Sequence, residues 1–434
     1  MCYFFAVTVS TLQKAIPAVL EFKPINPRDE STHSMNITEE NKDVSEVDIV
    51  GGSAAGLFAG YLLAREGKRV RLFDANDVLN VDCRTLITTS RLTDVLGFFP
   101  QEAVVNQIDQ IDLYSPGRSV TIPMKEPDLV VERAAVVRLL ARKALDAGVE
   151  IRAGCKLVNL EPGDGGVAVT IRDTHRGRVE EFKTQTLIGA DGMSSRVAKI
   201  VTGNGHETTP LLQAIVELPS GARASTTGVW FEPGDTPYFY WLIPQSQTHA
   251  AVGFIAEDGK TARTKLQRFL ARIGLKPVEM QSARIPSYTH FTRPWRRIAG
   301  CDVYLVGDAA AQVKVTTVGG LVTGLRGAKA AANAILGQGG YLKELRSLQR
   351  ELSLHLLIRS ALNRFQSADY DRLLDLLNEK MINLLGVHNR DHAARILCRI
   401  ILAQPRLLSL AGILSRGIWQ SSARQSQCAQ PSVE

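Results

Sequence analysis

Three glycine-punctuated segments lie far apart in the chain, with a stretch of alternating apolar residues between the second and the third. They predict an α/β fold. The expected architecture is a discontinuous Rossmann-like nucleotide-binding domain with an inserted antiparallel-sheet domain and a helical C-terminal region. The segments are Ile49-Val50-Gly51-Gly52-Ser53-Ala54-Ala55-Gly56, Gly189-Ala190-Asp191-Gly192 and Leu305-Val306-Gly307-Asp308-Ala309-Ala310. Each follows a short apolar run of the kind a buried parallel strand shows. One alone is a weak signal. Three in order imply that the chain folds back to hold one dinucleotide.

The first segment predicts a strand over 47–50, a tight glycine turn, and a helix from Ala54 to about Glu66 that ends at Gly67. A pyrophosphate at that helix N-terminus meets free N–H groups and the positive end of the dipole. The next strand, 69–73, runs into Asp74, placed about 20 residues on, where a carboxylate accepts from ribose hydroxyls. Ser53 stands at the middle glycine of the fingerprint, so the approach of phosphate to backbone is more crowded than usual. Taken alone, this turn fits FAD, NAD or another doubly wound fold.

The other two segments narrow the choice. The apolar run 186–190 stops at Asp191-Gly192, and the run 303–306 stops at Gly307-Asp308. A carboxylate at the C-terminal end of a parallel strand lies at the crevice where ligands bind. After Asp308, the stretch 309–318 leads to Gly319-Gly320 and a small-residue helix from Leu321, whose N-terminal N–H groups suit negative charge on a reduced flavin. The three segments together read as an FAD site.

On these motifs the chain resembles the flavoprotein group that contains the p-hydroxybenzoate hydroxylase type of monooxygenase. Within that group it is most similar to the geranylgeranyl reductases. Residues 308–320 resemble their Gly-Asp-Ala-Ala-Gly-x-Val-Lys-Pro-Thr-Thr-Gly-Gly-Gly pattern, and Phe239-Tyr240-Trp241-Leu242-Ile243-Pro244 resembles their aromatic-x-Trp-x-Phe-Pro substrate strand. The tail resembles their helical C-terminal region, including Asn389-Arg390-Asp391-His392 and Gln404-Pro405-Arg406. The likeness runs from about Val47 to about Leu414. It implies that Asp308 meets the ribitol chain of FAD, that Asp191 sits in a loop serving FAD and reductant, and that Arg133 contacts the cofactor. It also implies that Phe239, Trp241 and Ile243 form a substrate wall. Cys83, beside the expected flavin, becomes the candidate proton donor, since a positioned thiol can transfer a proton. The chain departs from the pattern at Ser53, Ala311, Val315 and Val318, and carries Cys83-Arg84 for Cys-Gly and Gln245 for a lysine. Val315 and Val318 are expected to add branched bulk beside the flavin face.

Composition sets outer limits. At 434 residues the chain can bury two cores and an appendage. Its six cysteines lack Cys-x-x-Cys spacing, so neither a metal site nor a disulfide framework is expected, and a cytoplasmic location is the default. A net charge of +7 fits nucleic acid, anionic lipid or merely a basic surface. We expect no nucleic-acid partner, and a monomer. No run of about 20 apolar residues suggests a transmembrane helix.

The expected boundaries follow. Residues 1–44 read as a disordered extension, with Met35 an alternative start. Residues 45–106, 124–200 and 293–340 form the FAD domain, 107–123 and 201–292 the antiparallel substrate domain, 341–420 the helical region, and 421–434 a disordered tail. In the aromatic strand, Phe239, Trp241 and Ile243 share one face and Tyr238 and Tyr240 the other. That face is a lipid wall or an ordinary sheet core. The Leu/Ile-rich, arginine-bearing stretch 393–419 suits a helix at an anionic membrane surface, or one packed on the enzyme. No second Gly-x-Gly-x-x-Gly follows a strand, so a dedicated nicotinamide domain is missing and the electron donor is NAD(P)H or ferredoxin. The sequence reads as an FAD-dependent reductase of isoprenoid carbon–carbon double bonds. The alternatives are a monooxygenase or halogenase of the same fold, since Phe239-x-Trp241-x-Ile243-Pro244 is also similar to the halogenases' Trp-x-Trp-x-Ile-Pro, and a degenerate flavoprotein that only binds.

Overall fold

The structure is a computed structural model and describes residues 45–77, 79, 84–203, 207–287, 293–387 and 404. Its first sheet has six strands in the order Trp295–Ile298, Cys301–Leu305, Thr186–Gly189, Val47–Val50, Val70–Phe73 and Glu150–Arg152. All pair in parallel except the edge strand Trp295–Ile298. Strands buried on both faces send alternate side chains to opposite layers. Ile49, Leu72, Ile188 and Tyr304 point into a core with the helices Ala54–Arg65, Arg133–Asp146 and Leu321–Ile335. Val50, Phe73, Leu187 and Val303 point into a second core. That core is closed by the three-stranded sheet Cys155–Gly163, Gly166–Asp173 and Val179–Thr184 and by the helix Arg196–Thr202.

The second sheet has eight strands, ordered Pro277–Ser287, Glu207–Glu217, His249–Ile255, Tyr240–Pro244, Thr226–Trp230, Val104–Ser115, Arg118–Glu132 and Thr85–Thr88. It is antiparallel with one exception, because Thr226–Trp230 runs parallel to Val104–Ser115. Strands Val104–Ser115 and Arg118–Glu132 form a hairpin that turns between Ser115 and Arg118. The boundaries expected at 106/107 and 123/124 fall inside the continuous strands Val104–Ser115 and Arg118–Glu132. The far half of the hairpin pairs with Thr226–Trp230, while its near half pairs with Thr85–Thr88. One pair of strands therefore carries Thr226–Trp230 on one side and Thr85–Thr88 on the other.

Tyr240, Phe254 and Val252 fill the face covered by the helix Gly259–Arg272, through Leu266, Phe269 and Leu270. Helix Tyr341–Leu362 then docks Tyr341, Leu345, Leu348 and Leu352 into the first core. Helix Ser367–Asp375 reaches the hairpin turn, where Asp371 Oδ1 accepts from Ser115 Oγ at 2.5 Å and from Gly117 N at 2.9 Å. No helix among the described residues is long and apolar enough to cross a membrane. The expected extension 1–44, the amphipathic stretch 393–419 apart from Gln404, the tail 421–434 and Cys83 lie outside the described residues.

Candidate FAD site

The first strand ends in a turn that only glycine allows. Gly51 has φ 110°, in the left-handed region, and a Cβ there would overlap the carbonyl of Ala190. The first and second segments thus touch backbone to backbone, and Ala190 N donates to Val50 O at 2.7 Å. Ser53 is no obstacle to the turn. It sits at φ −72° as the N-cap, with Oγ accepting from Gly56 N at 3.2 Å, so a serine suits the position better than its departure from the fingerprint suggested. Asp74 Oδ2 accepts from Gly52 N at 2.6 Å, and Oδ1 accepts from Asn76 N at 2.8 Å. The carboxylate is anchored beside the turn and half-buried, with lone pairs left for ribose hydroxyls.

Asp191 is tied down within its own segment. Its carboxylate accepts from Ser195 Oγ, from Arg196 N at 2.8 Å and from Val197 N at 3.4 Å, capping the helix Arg196–Thr202. Burial pushes this carboxyl above its ordinary pKa, while those hydrogen bonds pull the other way. Gly192 follows at φ 75°. Arg133 is the first residue of helix Arg133–Asp146, with its N–H on the carbonyl of Arg84 at 2.9 Å.

In the third segment Gly307 has φ 64°, and a Cβ there would stand 3.1 Å from that of Ala55. A Cβ on Gly324, in the following helix, would stand 3.1 Å from Gly307 Cα. The two helices Ala54–Arg65 and Leu321–Ile335 close on this turn through residues too small to separate them. A Cβ on Gly320 would lie 3.2 Å from Asp308 Oδ1, so the carboxylate stands at the N-terminus of helix Leu321–Ile335. Gly320 is that helix's N-cap and has no side chain of its own, and the first turn holds no acidic residue. The N–H groups of a helix N-terminus beside three glycine turns suit the polar, anionic parts of a flavin dinucleotide.

The first segment touches the second at Gly51 and Ala190, and the third at Ala55 and Gly307, so all three meet at the strand ends. A family model described as the FAD binding domain matches residues 44–337, more than half of the chain. The chain belongs to this FAD-binding family. Among curated relatives, a geranylgeranyl diphosphate reductase from Rhodobacter capsulatus is 28% identical over 298 residues, which is 66% of this chain and 74% of the relative. A digeranylgeranylglycerophospholipid reductase from Methanococcus aeolicus is 24% identical over 396 residues, 84% of this chain and 96% of the relative. The solved structure of a geranylgeranyl bacteriochlorophyll reductase-like protein from Thermoplasma acidophilum superposes with a TM-score of 0.69 at 18% identity. It covers 84% of this chain and 99% of its own. The flavin-dependent brominase Bmp2 shares the fold at a TM-score of 0.58 and 16% identity, with 81% and 93% covered. The protein is an FAD-dependent oxidoreductase with geranylgeranyl reductase relatives.

The aromatic strand is sorted as alternation demands. Tyr240 is fully buried on the helix-covered face, stacked at 4.0 Å on Phe269. Trp241 and Ile243 join Ile108, Val130, Met124 and Ile87 on the other face. Ile87 belongs to the edge strand that follows Arg84, and Gln245 Nε2 donates to Thr85 Oγ1 of that same strand. Phe239 meets Trp241 edge-on at 6.2 Å and Phe231 at 6.4 Å, and Phe231 stacks at 4.5 Å on Tyr370 of helix Ser367–Asp375. Val315 is buried in a small cluster with Ala311 and Leu356.

Several residues escaped the sequence reading. Gln312 is fully buried: its Oε1 accepts from Gly307 N at 2.9 Å and its Nε2 donates to Tyr341 Oη at 3.4 Å. Tyr341 Oη donates in turn to Leu305 O at 2.5 Å. Burial pushes the Tyr341 hydroxyl above its ordinary pKa, which keeps it a neutral donor. Thr323 Oγ1 donates to Gln312 O. A polar Gln inside the small-residue run 309–313 was the available signal.

Proposed function

We propose that the protein reduces carbon–carbon double bonds of an isoprenoid lipid of the geranylgeranyl type. The observation that carries this reading is the pairing of an FAD crevice with an apolar sheet face, Trp241 and Ile243 running to Ile87 at the edge strand. The relatives named as reductases of geranylgeranyl lipids support it. In this reading the turn 51–56 and Asp74 hold the adenosine and pyrophosphate end of FAD. Asp308, Gly319 and Gly320 hold the ribitol and ring end, with Arg133, Asp191 and Gly192 completing the grip. When bound, the flavin supplies hydride transfer to an alkene. The wall of Phe239, Trp241 and Ile243 orients the prenyl chain and excludes water, and Cys83 delivers the proton. NAD(P)H or ferredoxin supplies the electrons, and a cytoplasmic monomer touches an anionic membrane through the stretch 393–419.

A flavin-dependent monooxygenase or halogenase is the second reading, favoured by the shared fold of solved halogenases. Turnover separates the two. Dithionite-reduced protein mixed with a prenyl lipid under strict anaerobiosis is expected to reoxidise and yield product heavier by two hydrogens. Turnover that needs oxygen and gives hydroxylated or halogenated product overturns the reductase.

A further inference from the structure

Helix Tyr341–Leu362 carries three buried polar side chains, Glu351, His355 and Arg359, spaced four residues apart and therefore on one face. Each reaches a different part of the site. Glu351 Oε2 pairs with Arg326 Nη1 of helix Leu321–Ile335 at 2.6 Å. His355 Nδ1 and Thr316 Oγ1 of the loop before that helix are 2.6 Å apart. Arg359 donates to Pro237 O, just ahead of the aromatic strand, and its guanidinium stands 4.7 Å from the Tyr238 ring centroid. Through these bonds the helix is tied to helix Leu321–Ile335, to the loop before it and to the lead-in of the aromatic strand.

The loop under His355 is strained at both ends. Among the described residues, Ala311 at φ 51° and Val318 at φ 55° are two of three non-glycine residues with left-handed backbone. For the β-branched Val318 this is a genuine outlier. Such conformations persist only where the surroundings over-determine them. On the side of the first sheet the loop is held by Thr323 on Gln312 O and by Gln312 on Gly307 N. Its middle is held from the other side: Thr316 by His355, and Val315 by Leu356, the next residue of the same helix. The loop runs straight into the helix N-terminus at Gly320.

We infer that His355 is a positioning residue for the cofactor. It latches the strained loop 311–318, and so the N-terminus of helix Leu321–Ile335, in the conformation that receives FAD. This rests on FAD binding and not on the choice of substrate, so it stands or falls separately from the reductase reading.

The test uses the full-length protein stripped of flavin, and reads the FAD dissociation constant and the flavin midpoint potential. His355→Leu keeps the bulk and removes Nδ1; His355→Asn returns a polar atom near that position. Loss of a buried hydrogen bond of ordinary strength predicts FAD binding weaker by about tenfold in the leucine variant. The midpoint potential is expected to shift as well. The asparagine variant returns affinity to within about threefold of wild type, the residue of an imperfect hydrogen bond. Adding Val318→Gly to His355→Leu recovers part of the loss, because a relaxed loop leans less on its latch. If His355→Leu does not fold, Thr316→Val removes the same bond from the other side, with the same readouts. A folded leucine or valine variant with wild-type affinity and potential overturns the inference, as does an equal loss in His355→Leu and His355→Asn.

Discussion

Val318→Gly should stabilise this protein, although it deletes the whole isopropyl side chain beside the proposed cofactor site. Val318 is held at φ 55°, where an L-residue's Cβ crowds the following carbonyl at about 1–2 kcal/mol, and a branched side chain raises that toward 3 kcal/mol. Against this stand glycine's extra freedom in the unfolded chain, about 0.5–1 kcal/mol, and a modest loss of burial for a half-buried side chain. The balance is a gain of about 1 kcal/mol. At about 2.1 cal/mol/K per residue, that raises the midpoint of a 434-residue chain by roughly 1 °C, so replicate calorimetry should be joined to urea titration of holo- and apoprotein. Val318→Ala is the control, since it shortens the side chain but keeps a Cβ at positive φ; it should gain less than half as much. A glycine variant no more stable than wild type, or an alanine variant that gains equally, would refute the strain argument.

Two further outcomes test the site. Asp308→Ala removes the carboxylate at the N-terminus of helix Leu321–Ile335 and should leave the protein folded but largely colourless, read as the flavin-to-protein absorbance ratio of purified samples. Trp241→Ala should change which double bonds of a prenyl lipid are reduced while FAD stays bound; a purely core tryptophan would show up instead as a stability loss of about 3–5 kcal/mol with flavin released on unfolding.

The parts of the fold legible in the sequence were those set by near neighbours. Gly51 and Gly307 are glycines because their own φ angles are left-handed, and the apolar runs before them are strands because both faces are buried. The opposite faces of Tyr240 and Trp241 follow from the two-residue period of a strand. Recognising the FAD crevice needed no more than this local chemistry repeated three times in order.

Tertiary structure decided what depends on partners distant in the chain. Asp191 could be read as a crevice carboxylate, but only the closed fold shows it capping its own helix under burial. Strand Arg118–Glu132 runs past the boundary expected at 123/124, and its end, 129–132, pairs with Thr85–Thr88, which no local periodicity announces. The packing of Val315 against Leu356, 41 residues on, is likewise set only by the closed fold. His355, 39 residues from Thr316, lies in a helix whose pattern reads as ordinary core packing, yet it reaches the loop beside the cofactor crevice. Glycine turns and strand periods are written within a few residues, because sterics and backbone hydrogen bonds act at that range. Which buried polar side chain meets which strained loop is set only when the layers close.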